Sequence, residues 1–382
     1  MHSLTHVQIE PTTRCNFTCA FCCGRYMEQQ DISVAQFQAV LQAAPDLAHI
    51  ELQGEGESLM HPHFFEMAQA ARARGIKVSL ISNGSYLNPQ SVTQLLDLGI
   101  EKISISLESA ESETFRRIRG GKLEKVVRGV TELMTQRRSR GASKPVVAFS
   151  ITVLKETQEH LEGILRLYQE LGLDGGITLQ PLQTMPTYVQ NYPETLRQQL
   201  LSHEEVNDLW VQFYAHRGIR KIQRDKQRTG VQGFFDELMG GFHAGKRSCP
   251  WLEQGLYVNN QGQASACCMI KDTQTYGLGR VGTDSMEQIL NKREQLRTEL
   301  AQGQIPKPCQ GCELARFATM TRGQLLLFGM RGMWRRMSPK RLWRQLRRRG
   351  NKTLPPPGPQ GRLPTGTSED AQRPRVSLPL AQ

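Results

Sequence analysis

Over residues 7 to about 182 the chain alternates short apolar runs with longer amphipathic stretches. Residues 7–9 and 48–53 have the look of strands. Residues 64–74 carry apolar side chains at helical spacing and stop at Gly75, a helix-ending residue. Residues 76–81 form the next strand, closed by Asn83-Gly84, and 89–98 the next helix, closed by Gly99. Residues 102–107 alternate with period two. A helix over 123–138, a strand over 146–153, a helix over 159–171 and a strand over 177–182 complete the series. Strand then helix, repeated, predicts an α/β fold with a parallel sheet and helices outside it. Ligands of such folds gather at the C-terminal ends of the strands.

The pattern loosens between residues 184 and 245. Turns occupy 184–186 and 191–194, and 202–217 reads as an amphipathic helix. Ser202 is its N-cap, with Glu205 three residues on as in a capping box. Leu209, Trp210 and Phe213 on its apolar face are packing residues, and 224–228 reads as a solvated charged loop. A strand and turn over 257–262 open a hairpin, and 286–300 forms a helix. Beyond Phe317 an apolar stretch, 325–328, precedes a basic one, and 353–382 has the Pro, Gly, Ser and Thr content of disorder.

With 382 residues, 38% of them hydrophobic, the chain can bury one large domain and a small one. A membrane span needs about 20 consecutive apolar residues, and no such run occurs. The first residues, Met1-His2-Ser3-Leu4, lack the features of a signal peptide. The nine cysteines come in sets instead of the scatter of a disulfide framework. The expected place is the cytoplasm, with metal in use. The formal net charge is +12, but ten Lys or Arg and no acid lie within 331–352, so the body is nearly neutral. Interleaved with Trp334, Trp343 and several Leu and Met, this stretch either is a solvated tail with no binding role or suits an anionic membrane surface, which would give a peripheral place at the inner membrane face. RNA phosphates would suit the same charge, but nucleic acid is not the expected partner. Pro339 divides any helix there in two.

The chemistry concentrates in Arg14-Cys15-Asn16-Phe17-Thr18-Cys19-Ala20-Phe21-Cys22, right after the first strand. Three thiolates spaced C-x3-C-x2-C can hold three irons of a cubane and leave the fourth open. Zinc is the bland rival, although it usually takes paired C-x2-C ligands. Cys23 is an adjacent packing residue. The spacing resembles the cluster motif of the radical S-adenosylmethionine (SAM) superfamily. That resemblance implies a [4Fe–4S] cluster on Cys15, Cys19 and Cys22 whose open iron chelates the amino and carboxylate groups of SAM. The reduced cluster would then cleave SAM to a 5′-deoxyadenosyl radical. It also implies a partial (β/α)6 TIM-like barrel, with Phe21 near the adenine.

Further loops carry the resemblance. Gly54-Glu55-Gly56-Glu57-Ser58 is similar to the glycine-rich segment after the second strand, where backbone and an acid meet the SAM amino group. Gly56 lets the backbone come close, and Glu57 can accept from an amine. Glu55 stands where the family often has glycine, and Ser58 where proline is common. Ser82-Asn83-Gly84 resembles the Thr-Asn-Gly after the third strand. Ser106 and Glu108 resemble ribose and carboxylate contacts after the fourth, and Arg119 an arginine facing the SAM carboxylate. Each has an ordinary alternative: a polar turn for 54–58, a turn residue for Asn83, a solvated helix end for Arg119. Gln180 and Pro181 are substrate-side candidates.

A second cysteine set follows. Cys249, then Gly262 and Cys267, then Cys309-x2-Cys312 is similar to the SPASM/twitch extension of radical SAM enzymes. Four thiolates suffice for one auxiliary [4Fe–4S] cluster; zinc suits them too. Cys268 is a near-equal alternative to Cys267. The resemblance divides the chain into a core barrel (1–215), a linker (216–245), a SPASM/twitch domain (246–320), a basic apolar tail (321–352) and a disordered end (353–382). It implies a radical SAM oxidoreductase served by a reductant such as flavodoxin or ferredoxin. The expected activity is oxidative modification of a peptide or protein side chain. Dehydrogenation of a small carbohydrate-like molecule is the second reading, and a non-catalytic iron–sulfur or zinc protein the third. No catalytic acid or base is assigned.

Overall fold

The computed structural model of the chain describes residues 4–229, 245–327 and 330. Six strands lie parallel and in chain order: β1 (His6–Ile9), β2 (His49–Leu52), β3 (Lys77–Ser82), β4 (Lys102–Ser106), β5 (Val146–Val153) and β6 (Ile177–Pro181). The crossovers are filled by α1 (Val34–Ala43), α2 (Phe64–Ala73), α3 (Pro89–Asp97), α4 (Ser112–Arg119), α5 (Leu123–Ser139) and α6 (Leu161–Glu170). The helix α2 shows why. Its Phe64, Met67, Ala68 and Ala71 recur at i, i+3, i+4 and i+7 and are fully buried, and Gly75 ends it with φ +75°. Removing a ring such as that of Phe64 would cost about 3–5 kcal/mol.

Along the strands the outward positions, such as Val7, Ile9, Ile50, Leu52, Ile103 and Ile105, join the main core. Polar inward positions line the lumen: Glu51 on β2, Gln53 just past it, Lys102 and Ser104 on β4, and Ser150 on β5. Alternation with period two therefore separates an apolar jacket from a polar interior. At the N-terminal end of the lumen His6 Nδ1 lies 3.0 Å from His49 Nδ1, and His49 Nε2 lies 2.8 Å from Ser79 Oγ. Burial holds both rings neutral, and pushes His49 down to about 4.

The sheet does not close. Three further strands, β7 (Gly255–Val258), β8 (Gln263–Ser265) and β9 (Gly279–Arg280), extend it to the order β6-β5-β4-β3-β2-β1-β7-β8-β9. The strand β7 runs parallel to β1, with Gly255 opposite His6, and the hairpin to β8 turns at Gly262. The hairpin of the second cysteine segment is thus hydrogen-bonded to the strand that leads into the first.

Two short helices were not legible in advance, α1 and α4. Residues 224–228, read above as a loop, belong to a helix, Arg217–Thr229. Its Ile219 and Ile222 are buried one turn apart, a short apolar side that the surrounding charges mask. Ser202 caps the preceding helix, His203–Ala215, through the reciprocal bonds of a capping box, and Leu209, Trp210 and Phe213 are buried. The basic stretch 331–352 and the terminal segment 353–382 lie outside the described residues.

Candidate active site

Loops after β1, β2, β3 and β4 converge at the C-terminal end of the sheet. The cysteine loop after β1 is clamped on both sides. Glu57 N donates to Arg14 O (2.8 Å) and Gly56 N to Thr12 O (3.2 Å). A side chain at position 56 would strike that backbone: its Cβ would lie 2.3 Å from Thr12 O, so only glycine fits. On the far side Thr18 N donates to Arg119 O and Ala20 N to Ile118 O, both at 3.0 Å. The helix α4 ends there on Gly120 in the left-handed region (φ +69°).

A ring of side chains ties the loops together. The Glu57 carboxylate accepts from Ser82 Oγ (2.8 Å), Asn83 N (2.6 Å) and Leu59 N (3.3 Å). Burial raises its pKa against those bonds. A carboxylate has about four acceptor positions, so one remains for a ligand. Asn83 Nδ2 donates to Asn16 Oδ1 at 2.9 Å and points at the Cys15 sulfur at 3.8 Å. Asn16, whose role went unread in the sequence, is the link from this ring to the cysteines. Glu108 is fully buried and grips the Arg119 guanidinium with both oxygens, Arg119 Nη2 to Oε1 at 2.9 Å. Burial works against the charge of Arg119, but Glu108 outweighs it and raises the pKa.

Phe21, Gly56, Glu57, Asn83, Ser106 and Arg119 all line one cavity of about 400 Å³, together with Cys15, Cys19 and Cys22. Glu108 does not line it; the expected ribose contact stands behind Arg119 instead. The cavity is also lined by Gln53, Thr152, Gln183, Tyr188 and Tyr192, which no motif marks. Gln180 and Pro181 face it as expected. The Arg119 guanidinium sits 5.8 Å from the centre of the Phe21 ring.

The second cysteine set borders a smaller cavity of about 170 Å³ that continues into the lumen. Cys249, Cys267, Cys268, Cys309 and Cys312 all line it. Three distant segments deliver them: Cys249 caps the helix Pro250–Gln254, Cys267 follows β8, and Cys312 caps the helix Glu313–Ala318. Cys268 is buried with Trp251 and Tyr257, whereas Cys267 is half-buried, with Cys249 and Cys312 among the groups that act on its thiol.

The donor sets fit iron–sulfur clusters. Backbone N–H groups aim at the sulfurs: Phe17 N at Cys15 (3.4 Å), Met269 N at Cys267 (3.4 Å), Trp251 and Leu252 at Cys249, and Leu314 and Ala315 at Cys312. Such donors stabilise the thiolate form that ligates metal. Burial otherwise pushes these thiols up, Cys19 to about 11 and Cys249 to about 12. A metal must therefore take the proton's place. Among the described residues no three His, Cys, Asp or Glu side chains close on a point that a single ion would fill.

Comparison with known proteins agrees with this geometry. Residues 9–168 match the model of the radical SAM superfamily, and 249–313 that of the SPASM iron–sulfur cluster-binding domain. The tungsten-containing aldehyde ferredoxin oxidoreductase cofactor-modifying protein of Pyrococcus furiosus is 25% identical over 49% of this chain and 54% of its own. The chain thus spans about half the length of the curated relatives it matches first. Two solved structures share the fold. Streptococcus suis SuiB bound to precursor peptide SuiA has a TM-score of 0.56 and 12% identity, over 83% of this chain and 71% of its own. Native anSMEcpe with bound AdoMet and Cp18Cys peptide has a TM-score of 0.57 and 16% identity, over 82% of this chain and 88% of its own. The two domains imply a SAM-binding [4Fe–4S] cluster and an auxiliary iron–sulfur cluster, with SAM as the co-substrate. No described helix is long and apolar enough to cross a membrane. The chain is an enzyme that belongs to the radical SAM superfamily, with a SPASM domain C-terminal to its radical SAM region.

Proposed function

We propose that this enzyme oxidises a side chain of a peptide or protein. Cys15, Cys19 and Cys22 hold the SAM-binding cluster, and Cys249, Cys267, Cys309 and Cys312 the auxiliary one. Bound together, SAM and the first cluster supply a hydrogen-abstracting radical, and a second cluster with no open iron supplies a one-electron acceptor. The chain's own residues orient the reactants. The backbone at Gly56 and the free acceptor position of Glu57 receive the SAM amino group. Arg119, held by Glu108, presents its charge to the SAM carboxylate. Phe21 stands by the adenine, and Ser106 and Asn83 offer hydrogen bonds at strand ends.

One observation carries the substrate reading. Among the described residues, the side chains that line both cavities, and so stand between the cysteine sets, include Gln53, Ser150, Gln180 and Gln183 and none that is charged. Amides that both donate and accept complement a peptide group. They offer no cation for a phosphate. Both structures of similar fold named above hold peptides, which is in keeping. The hydroxyls of Ser106, Ser150 and Thr152 would also suit a neutral polyol, the second reading.

The test is the reconstituted enzyme with SAM and reductant, offered a peptide library and a panel of neutral polyols. A peptide should stimulate 5′-deoxyadenosine formation and lose two hydrogens. Stimulation by polyols alone would replace the peptide reading with the second. The proposal extends to a flavodoxin or ferredoxin as electron donor, a cytoplasmic setting, and the 331–352 stretch meeting an anionic membrane. It keeps the division of the chain near residue 245.

A further inference from the structure

The two cysteine segments meet at one buried ion pair. Lys271, four residues past Cys267, reaches Glu55 Oε1 with its Nζ at 2.8 Å, and both side chains are nearly enclosed. Glu55 lies in the loop after β2, where it replaces the glycine common in the family. Its other oxygen, Oε2, accepts from the Cys22 thiol at 3.4 Å. Tyr188 donates to Glu55 Oε1 at 3.3 Å, and its hydroxyl also lies 3.5 Å from Met269 Sδ. The Lys271 ammonium sits 5.0 Å from the centre of the Tyr257 ring. The buried Glu10 carboxyl, which accepts from Glu55 N at 2.8 Å, is the other acid facing Lys271.

This arrangement matters once Cys22 ligates iron. The thiol then loses its proton, and the contact at 3.4 Å becomes a carboxylate beside a thiolate. Two like charges at that distance in a dry site repel strongly. Lys271 is the charge that cancels the effect, and it comes from the cysteine segment of the other site. We propose that the Lys271–Glu55 pair sets the reduction potential of the cluster on Cys15, Cys19 and Cys22, with Lys271 as a positioning and charge-compensating residue supplied by the SPASM segment. The inference rests on the ligand assignment under Proposed function.

An EPR-monitored redox titration of the full chain, reconstituted with both clusters, tests it; added SAM identifies the first cluster by the change in its signal. Lys271→Met should make the midpoint of that cluster more negative, because an uncompensated carboxylate disfavours adding an electron. Glu55→Gln should make it less negative. Lys271→Arg should stay near the wild-type value, and the double variant Lys271→Met/Glu55→Gln should return toward it. Opposite signs for the two single variants distinguish charge control from a structural pin, which would lower iron content in both and shift the potential in one direction. Shifts of the same sign, or none, overturn the inference. If Lys271→Met fails to hold iron, the sign seen with Glu55→Gln still decides. A wild-type protein with no SAM-responsive cluster would instead overturn the ligand assignment itself.

Discussion

The two cysteine sets differ in how the chain builds them. The first is local: three thiols within eight residues, on a loop clamped between the β2 loop and the end of α4. The second is assembled from the start of the helix Pro250–Gln254, the residues after β8 and the turn at Cys309–Cys312, which line one cavity. Three thiols leave a cubane one open iron, and four leave none. Under the proposed ligand assignment, a local triplet would serve the reactant-binding role, where loops must approach closely. A dispersed quartet would serve an enclosed electron acceptor, which only folding completes.

The sharpest way to break this contrast is to remove one set at a time. Cys15→Ala, Cys19→Ala and Cys22→Ala together should halve the iron from about eight to about four per chain and abolish SAM cleavage. The double variant Cys309→Ala/Cys312→Ala should lose the other half. It should still form 5′-deoxyadenosine slowly without substrate, yet make no oxidised product. Cys267→Ala should behave like that double variant, and Cys268→Ala like wild type. The reverse outcome would exchange their roles.

Smaller effects sharpen the picture of the first site. Glu57→Ala should weaken SAM binding about tenfold to a hundredfold, as loss of a charged hydrogen bond would, with iron content unchanged. Equilibrium dialysis with labelled SAM reads this. Unchanged affinity would leave Glu57 as a brace between the β2 and β3 loops only.

How much of this was legible follows from the same contrast. The parallel sheet was readable because apolar strands and glycine-ended helices alternate in the chain. The first cysteine loop was readable because its spacing is local. Asn16 was not, since its role depends on meeting Asn83 across 67 residues. Glu108 was read as a ligand contact because a strand-end acid looks the same whether it faces a cavity or an arginine. The helix Arg217–Thr229 was hidden by its charge density, with Ile219 and Ile222 buried among its described side chains. The pairing of β7 with β1 has no sequence signal of its own.

The other end of the lumen gives the mildest effect, on stability. His49 is held neutral down to about 4, against 6.5 for an ordinary histidine. Between those values the unfolded chain binds a proton that the folded chain does not, so stability falls as pH falls through that window. The loss amounts to about 3 kcal/mol by pH 4, and His49→Gln should lose less. Denaturant unfolding at pH 7, 5.5 and 4.5 measures the difference, and equal slopes for the two chains would assign the acid sensitivity elsewhere.

The most direct single measurement uses SAM carrying 15N in its amino group, bound to the reduced protein and followed by electron–nuclear double resonance. Coupling of the label to one of the two clusters is expected. It should persist in Cys309→Ala/Cys312→Ala and vanish when Cys15, Cys19 and Cys22 are replaced. Coupling that survives loss of those three cysteines, or is absent from the wild-type protein, would contradict the division of labour between the two sites.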